Sequence, residues 1–158
     1  MSYKLFGTEA IFAIEINIVE QSLNGPYGGL VLFINSKKLG FIEEEWFINS
    51  TLEYLMLFPD ADKLFSDVEF KKKSKNELWN FFADNPPLER FQFVSGLGES
   101  FDKFNIAHFR YKDRIYFLWK IVNLNSSNLV EDEIYFESVN LKEYLITIDE
   151  VKQQLKAL

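Results

Sequence analysis

Apolar and polar residues alternate with period two near the start of the chain, which predicts a strand with one buried face. The apolar positions of this strand are Phe12, Ile14, Ile16 and Ile18. A break at residues 24–26, Asn-Gly-Pro, precedes a second apolar segment at residues 30–34. A polar turn at residues 35–38 then leads into a short third strand at residues 39–42. Together these segments predict an N-terminal antiparallel meander.

Three later segments have helical spacing and their own start signals. The predicted helices cover residues 50–58, 74–84 and 148–157. The first follows Asn49 and Ser50, which are good N-cap residues, and ends at Pro59. Each of the other two starts with a capping box, namely Ser74 with Glu77 and Thr147 with Glu150. Residues 60–73 show no clear period and receive no assignment.

A second hairpin is predicted from two alternating segments near residue 113. Their apolar positions are Ala107, Phe109 and Tyr111, followed by Ile115, Phe117 and Trp119. A two-residue loop would pair Tyr111 with Arg114, whereas a three-residue loop pairs Phe109 with Phe117. We favour the three-residue loop, because it keeps the apolar residues on one face. A further strand is expected at residues 133–139.

Strands of period two and capped helices in one chain predict an α+β fold. The segments above predict an antiparallel sheet of about five to seven strands. We expect the helices to pack on one side of this sheet. The 158 residues suit a single domain, residues 1–158. The predicted core consists of Phe12, Ile14, Ile16, Phe109, Phe117, Trp119 and Leu155.

The composition argues against most enzyme classes. The chain has no cysteine and one histidine, which removes thiolate chemistry and most zinc sites. That histidine, His108, falls on the polar side of a predicted strand, and we expect it at the surface. The glycines around residues 96–98 match no phosphate-binding motif and are interpreted as a turn. We therefore expect no catalytic residue, no cofactor and no metal.

The charge and the hydropathy limit the choice of partners. The formal net charge is −7, which disfavours nucleic acid and suits a basic protein partner. No apolar segment reaches the ~18 residues of a transmembrane helix, and the N-terminus does not look like a signal peptide. We expect a cytoplasmic protein that does not bind membranes, whose oligomeric state the sequence leaves open.

One acidic run with an adjacent tryptophan is the best candidate for partner binding. It consists of Glu43, Glu44, Glu45 and Trp46, in a predicted loop between a strand and a helix. Loops on a rigid scaffold often carry binding residues, and an aromatic flanked by acids combines an anchor with a steering field. The alternative is a solvated loop in which Trp46 folds inward.

The opening third of the chain carries a pattern of strands and turns. Its residues are 12–15 (Phe-Ala-Ile-Glu), 18–20 (Ile-Val-Glu), 27–30 (Tyr-Gly-Gly-Leu), 33–35 (Phe-Ile-Asn) and 39–40 (Leu-Gly). This pattern resembles the immunity protein 42 family of bacterial polymorphic-toxin systems. One departure is Ser36, where the family pattern leads us to expect glycine after Asn35. The resemblance implies a cytoplasmic protein that binds and neutralises a cognate toxin domain, and it implies no particular contact residues.

Two functions from different classes remain at this stage. The first is an immunity protein that neutralises its cognate toxin by occlusion. The alternative is an intracellular adaptor or a small-ligand-binding α+β domain without a toxin partner. A toxin gene immediately upstream would favour the first.

Overall fold

The computed structural model describes residues 2–57, 72–84, 97–121 and 133–157. In these residues eight strands form two antiparallel sheets, one of five strands and one of three, together with three α-helices. The predicted α+β class is confirmed. The strands divide between two sheets, however, and helices lie on more than one side.

The first sheet contains the predicted N-terminal meander, but its third strand, expected at residues 39–42, covers Lys37–Leu39. Its strands are β1 (Ser2–Thr8), β2 (Phe12–Ser22), β3 (Gly25–Ile34), β4 (Lys37–Leu39) and β5 (Trp46–Phe47). Strands β1 to β4 lie in sequence order, and β5 pairs with β3. Phe12, Ile14 and Ile16 share a buried face with the β3 residues opposite them. Strand β1 was not predicted, and its apolar residues Tyr3 and Leu5 are exposed.

The turn between β3 and β4 explains the departure at residue 36. Asn35 and Ser36 have φ angles of 49° and 66°. Two consecutive residues with positive φ are the requirement of a type I′ hairpin turn, which glycine usually satisfies at the second position. Ser36 adopts that conformation itself, so the tight turn is kept without glycine.

The second sheet contains the predicted hairpin, but its register is the one that we did not favour. Its strands are β6 (Phe104–Tyr111), β7 (Arg114–Ile121) and β8 (Tyr135–Asn140). Tyr111 pairs with Arg114, which leaves a two-residue loop. In that loop Lys112 has a φ of 54°. The predicted pairing of Phe109 with Phe117 is therefore wrong.

The register prediction failed because both faces of this sheet are buried. Phe117 and Trp119 face the main core, whereas Phe109 and Leu118 pack on the opposite side against a helix. The register was chosen on the assumption that only one face of the hairpin is apolar, and that assumption does not hold for this sheet. The prediction that His108 lies at the surface is wrong for the same reason, since the side chain is 5% exposed.

The helices are α1 (Ile48–Leu57), α2 (Lys75–Ala83) and α3 (Leu141–Lys156). The capping box of Ser74 and Glu77 is confirmed at the start of α2, which covers the outer face of the second sheet. The capping box predicted at residue 147 is wrong. Helix α3 begins seven residues before the predicted start, where the Asn140 side chain accepts a hydrogen bond from the Lys142 amide. Thr147 instead lies inside the helix and donates its hydroxyl to the Glu143 carbonyl.

The main core lies where α1 and α3 meet the inner faces of both sheets. Six of the seven predicted core residues are buried, and Leu155 is half-buried against them. Tyr144 of α3 is fully buried at the centre. Its ring centroid lies 4.9 Å from that of Phe12 and 6.2 Å from that of Phe117, and its hydroxyl donates to the Leu55 carbonyl.

A few predictions fall outside the described residues. They are the end of the first helix at Pro59 and the turn at Gly96. Residues 60–71, which belong to the segment without an assignment, also lie outside the described residues. Among the helices that the structure describes, none has the length and apolar character needed to cross a membrane.

Replacing Phe117 with alanine should lower the free energy of unfolding by about 3–5 kcal/mol, because the side chain is fully buried and the cavity cannot close completely. Urea unfolding measures the change. Ile146→Ala is the control, since Ile146 is 43% exposed. Equal midpoints for the two variants would contradict the placement of Phe117.

Acid should destabilise the protein through His108, because burial lowers the pKa of this imidazole from 6.5 to about 3. Between these two values the unfolded chain binds a proton that the folded chain does not, so stability falls as the pH falls through this window. The contribution is about 1.4 kcal/mol per pH unit. Unfolding free energies at pH 6, 5 and 4 should therefore fall less steeply for His108→Leu than for the wild type. Parallel slopes would contradict the prediction.

Candidate partner-binding surface

The candidate residues lie in the loop between β4 and β5, and Trp46 is the first residue of β5. Glu43 is exposed, while Glu44 and Glu45 are half-buried. The side chain of Trp46 is 36% exposed, so part of the indole reaches solvent and part is covered. The structure thus places all four predicted residues together at the surface.

A single buried serine fixes the path of this loop. Ser100, which is 2% exposed, donates its hydroxyl to the Glu44 carbonyl at 2.6 Å. Its own carbonyl accepts a hydrogen bond from the Phe41 amide at 2.8 Å. The same hydroxyl also accepts from the Leu30 amide at 3.4 Å, which ties the loop to the middle of β3. The acidic run is therefore held on the sheet by hydrogen bonds at defined positions.

Gly98 packs directly against the indole of Trp46. A Cβ atom at this position would lie 2.4 Å from Cδ1 of Trp46, so the ring is in contact with the glycine backbone. Gly98 also has a φ of 96°, a conformation that residues with side chains rarely adopt. The prediction that this glycine belongs to a turn is too narrow, because the absence of a side chain at Gly98 also leaves room for the indole of Trp46.

Two further carboxylates join the acidic run from the segment that follows Gly98. Glu99 and Asp102 are both exposed and lie on either side of Ser100 in the chain. We call the set Glu43, Glu44, Glu45, Trp46, Glu99 and Asp102 the acidic Trp46 surface. Within it, Glu44 pairs with Lys103, whose ammonium also lies 5.1 Å from the centroid of the Phe41 ring. The remaining carboxylates give the surface a negative field around a partly exposed tryptophan.

Sequence reasoning missed Glu99, Asp102 and the role of Gly98. These residues are more than 50 positions away from the acidic run. The two segments are brought together by the hydrogen bonds of Ser100, by the Lys103–Glu44 ion pair and by the contact between Gly98 and Trp46. The one local signal was a glycine followed by Glu-Ser, which is typical of many turns.

The chemistry of this surface suits recognition by shape and charge. Within the described part of the chain, no three His, Asp or Glu side chains are grouped so as to hold a metal ion. His108 is buried opposite Phe117 in the second sheet and is not one of the residues of the acidic Trp46 surface. Exposed carboxylates around an aromatic side chain instead combine long-range attraction with a contact that excludes water.

Comparison with known proteins bears on both fold and family. The crystal structure of CdiI from Burkholderia dolosa AUO158 superposes with a TM-score of 0.65 and 16% sequence identity, covering 96% of this chain and 99% of that chain. At that identity the likeness shows a shared fold. No curated protein sequence matches the chain.

The family evidence covers the whole sequence. The resemblance that the opening third suggests extends to every residue, since the chain matches immunity protein 42 over residues 1–158. The chain belongs to the immunity protein 42 family.

Proposed function

We propose that this protein neutralises a cognate toxin domain by binding it directly in the cytoplasm and occluding its active region, without catalysis and without a cofactor. The acidic Trp46 surface is the proposed contact. The observation that carries this assignment is a partly exposed tryptophan that packs against Gly98, where two segments rich in acidic residues meet. Membership of an immunity protein family supports the neutralising role.

The rigidity of the surface favours tight binding. Association costs free energy when loops and side chains must become ordered. Here the loop is already fixed by Ser100, and Trp46 is already packed against Gly98. Tryptophan is also among the residues that most often dominate the energy of protein interfaces.

The negative charge of the acidic Trp46 surface indicates which charge the toxin should carry where it binds. Glu43, Glu45, Glu99 and Asp102 belong to the two segments that meet at Trp46. A toxin that covers them with lysine or arginine side chains would be attracted from a distance and oriented on arrival. We therefore expect the toxin to have a basic region around the pocket that receives Trp46.

Neutralising three of these charges should slow association. The variant Glu43→Gln/Glu45→Gln/Glu99→Gln keeps Glu44, which pairs with Lys103. At low salt we expect its association rate to fall about tenfold, and to depend less on salt than the wild-type rate. The measurement is surface binding kinetics with the toxin domain encoded immediately upstream of this protein's gene.

The matched control carries the same change in net charge elsewhere. Glu9, Glu143 and Glu150 are exposed on the β1–β2 turn and on α3, so Glu9→Gln/Glu143→Gln/Glu150→Gln should associate at nearly the wild-type rate. Equal slowing of both triple variants would show a general charge effect and would remove the acidic Trp46 surface from the contact.

Truncating the tryptophan should speed dissociation. Trp46→Ala removes the apolar anchor, and we expect a loss of about 2 kcal/mol in binding free energy, which is about a thirtyfold faster dissociation. Gly98→Ala should also speed dissociation, because the new Cβ would occupy the space of the indole and displace it. Thermal unfolding of each variant first establishes that it is folded.

Tyr3→Ala serves as the control for loss of an exposed aromatic. Tyr3 is 55% exposed on β1, at the far edge of the first sheet from β5. Its removal should leave dissociation unchanged. If Trp46→Ala is folded and dissociates at the rate of the Tyr3 variant, the proposed contact is wrong.

A further inference from the structure

An open cavity of about 390 Å³ lies between the β2–β3 turn, α1 and the end of α3. Its walls combine an apolar floor with polar and charged side chains. The lining residues that carry the argument are Pro26, Leu52, Leu155, Asn49, Lys152 and Lys156. This cavity shares no residue with the acidic Trp46 surface, and its two lysines outnumber its one carboxylate, that of Glu53.

The cavity offers cations and hydrogen-bond donors to an occupant. Lys152 and Lys156 are one turn apart on α3, and neither pairs with a carboxylate among the described residues. Lys152 instead reaches the thioether of Met56 at 2.9 Å, and sulfur is a weak acceptor. The amides of Gln21 and Asn49 add neutral donors to the wall. This arrangement complements a carboxylate.

A hydrophobic side chain projects from the turn beside the cavity. Leu23 occupies the two-residue turn between β2 and β3 and is fully exposed, at 107%. The turn is fixed, since the Ser22 hydroxyl donates to the Gly25 carbonyl at 2.8 Å and accepts from the Asn24 amide at 3.2 Å. When another surface covers an apolar side chain that a rigid turn holds in water, the free energy of the system falls.

The two surfaces lie on opposite flanks of α1. The Thr51 hydroxyl donates to the carbonyl of Leu97. Leu97 precedes Gly98, so this flank of α1 is the one next to Trp46. Asn49 and Glu53, each two positions from Thr51, line the cavity. Two positions correspond to a rotation of about 200° around a helix. Since a helix is about 10 Å wide and a standard interface covers about 800 Å² of each partner, one protein domain can cover both flanks.

We propose that the cavity receives an acidic side chain of the cognate toxin, while Leu23 packs into an apolar depression beside that side chain. The inference rests on the proposed function and names a second contact for the same partner. The toxin then meets a negative surface on one flank of α1 and a positive cavity on the other. Opposite charges at two separated points allow only one orientation of the partner, which gives the complex its specificity.

The test measures binding kinetics of the full chain with the toxin domain encoded immediately upstream of its gene. Lys152→Gln/Lys156→Gln should associate at least fivefold more slowly at low salt, and with a weaker salt dependence. The matched control is Lys38→Gln/Lys142→Gln, which removes two exposed lysines outside the cavity and should associate like the wild type.

The anchor is tested separately through dissociation. Leu23→Ala should dissociate at least tenfold faster, whereas Leu145→Ala, which truncates a leucine 41% exposed on α3, should not. Leu23 makes no core contact, so its replacement leaves the fold intact, and thermal unfolding checks this.

The outcomes separate this inference from the proposed function. If the wild type binds the toxin and both cavity variants behave like their controls, the second contact is wrong while toxin neutralisation stands. If the wild type does not bind the toxin at all, both proposals are wrong. Slower association of the lysine variant together with faster dissociation of Leu23→Ala supports the second contact.

Discussion

The packing of Tyr144 is the contact on which the rest of the molecule depends. Its ring touches Phe12 of the first sheet and Phe117 of the second, and its hydroxyl donates to Leu55 of α1. Complete burial raises the pKa of Tyr144 well above its ordinary value, so the hydroxyl stays protonated and keeps donating. One side chain of α3 thereby fixes both sheets and α1 relative to one another.

The surface features follow from that arrangement. With α1 and the first sheet in place, Ser100 joins the acidic loop to β3 by hydrogen bonds, and the Trp46 indole packs against Gly98. On the other flank of α1, the end of α3 lines the open cavity with Lys152 and Lys156. Both proposed contacts are therefore built on elements that the core holds rigid, and this rigidity reduces the entropy that binding must overcome.

The sequence predicts most reliably what depends on neighbouring residues. The capping box at Ser74 is a local motif, and it forms as expected. The second box failed at Thr147, because Asn140 starts α3 earlier and the threonine hydroxyl bonds within the helix. The hairpin register failed because α2 buries a face that alternation alone assigns to solvent. Similarly, no local pattern could place the segment that contains Glu99 beside the acidic run, since the two segments meet through a hydrogen bond from Ser100 to the Glu44 carbonyl, 56 positions away.

The most direct test of the central claim is the structure of this protein bound to its toxin domain. In that complex we expect the Trp46 indole, 36% exposed in the free protein, to be buried by the toxin, with basic side chains facing Glu43, Glu45 and Glu99. A complex in which the toxin lies elsewhere and Trp46 keeps its exposure would contradict this expectation.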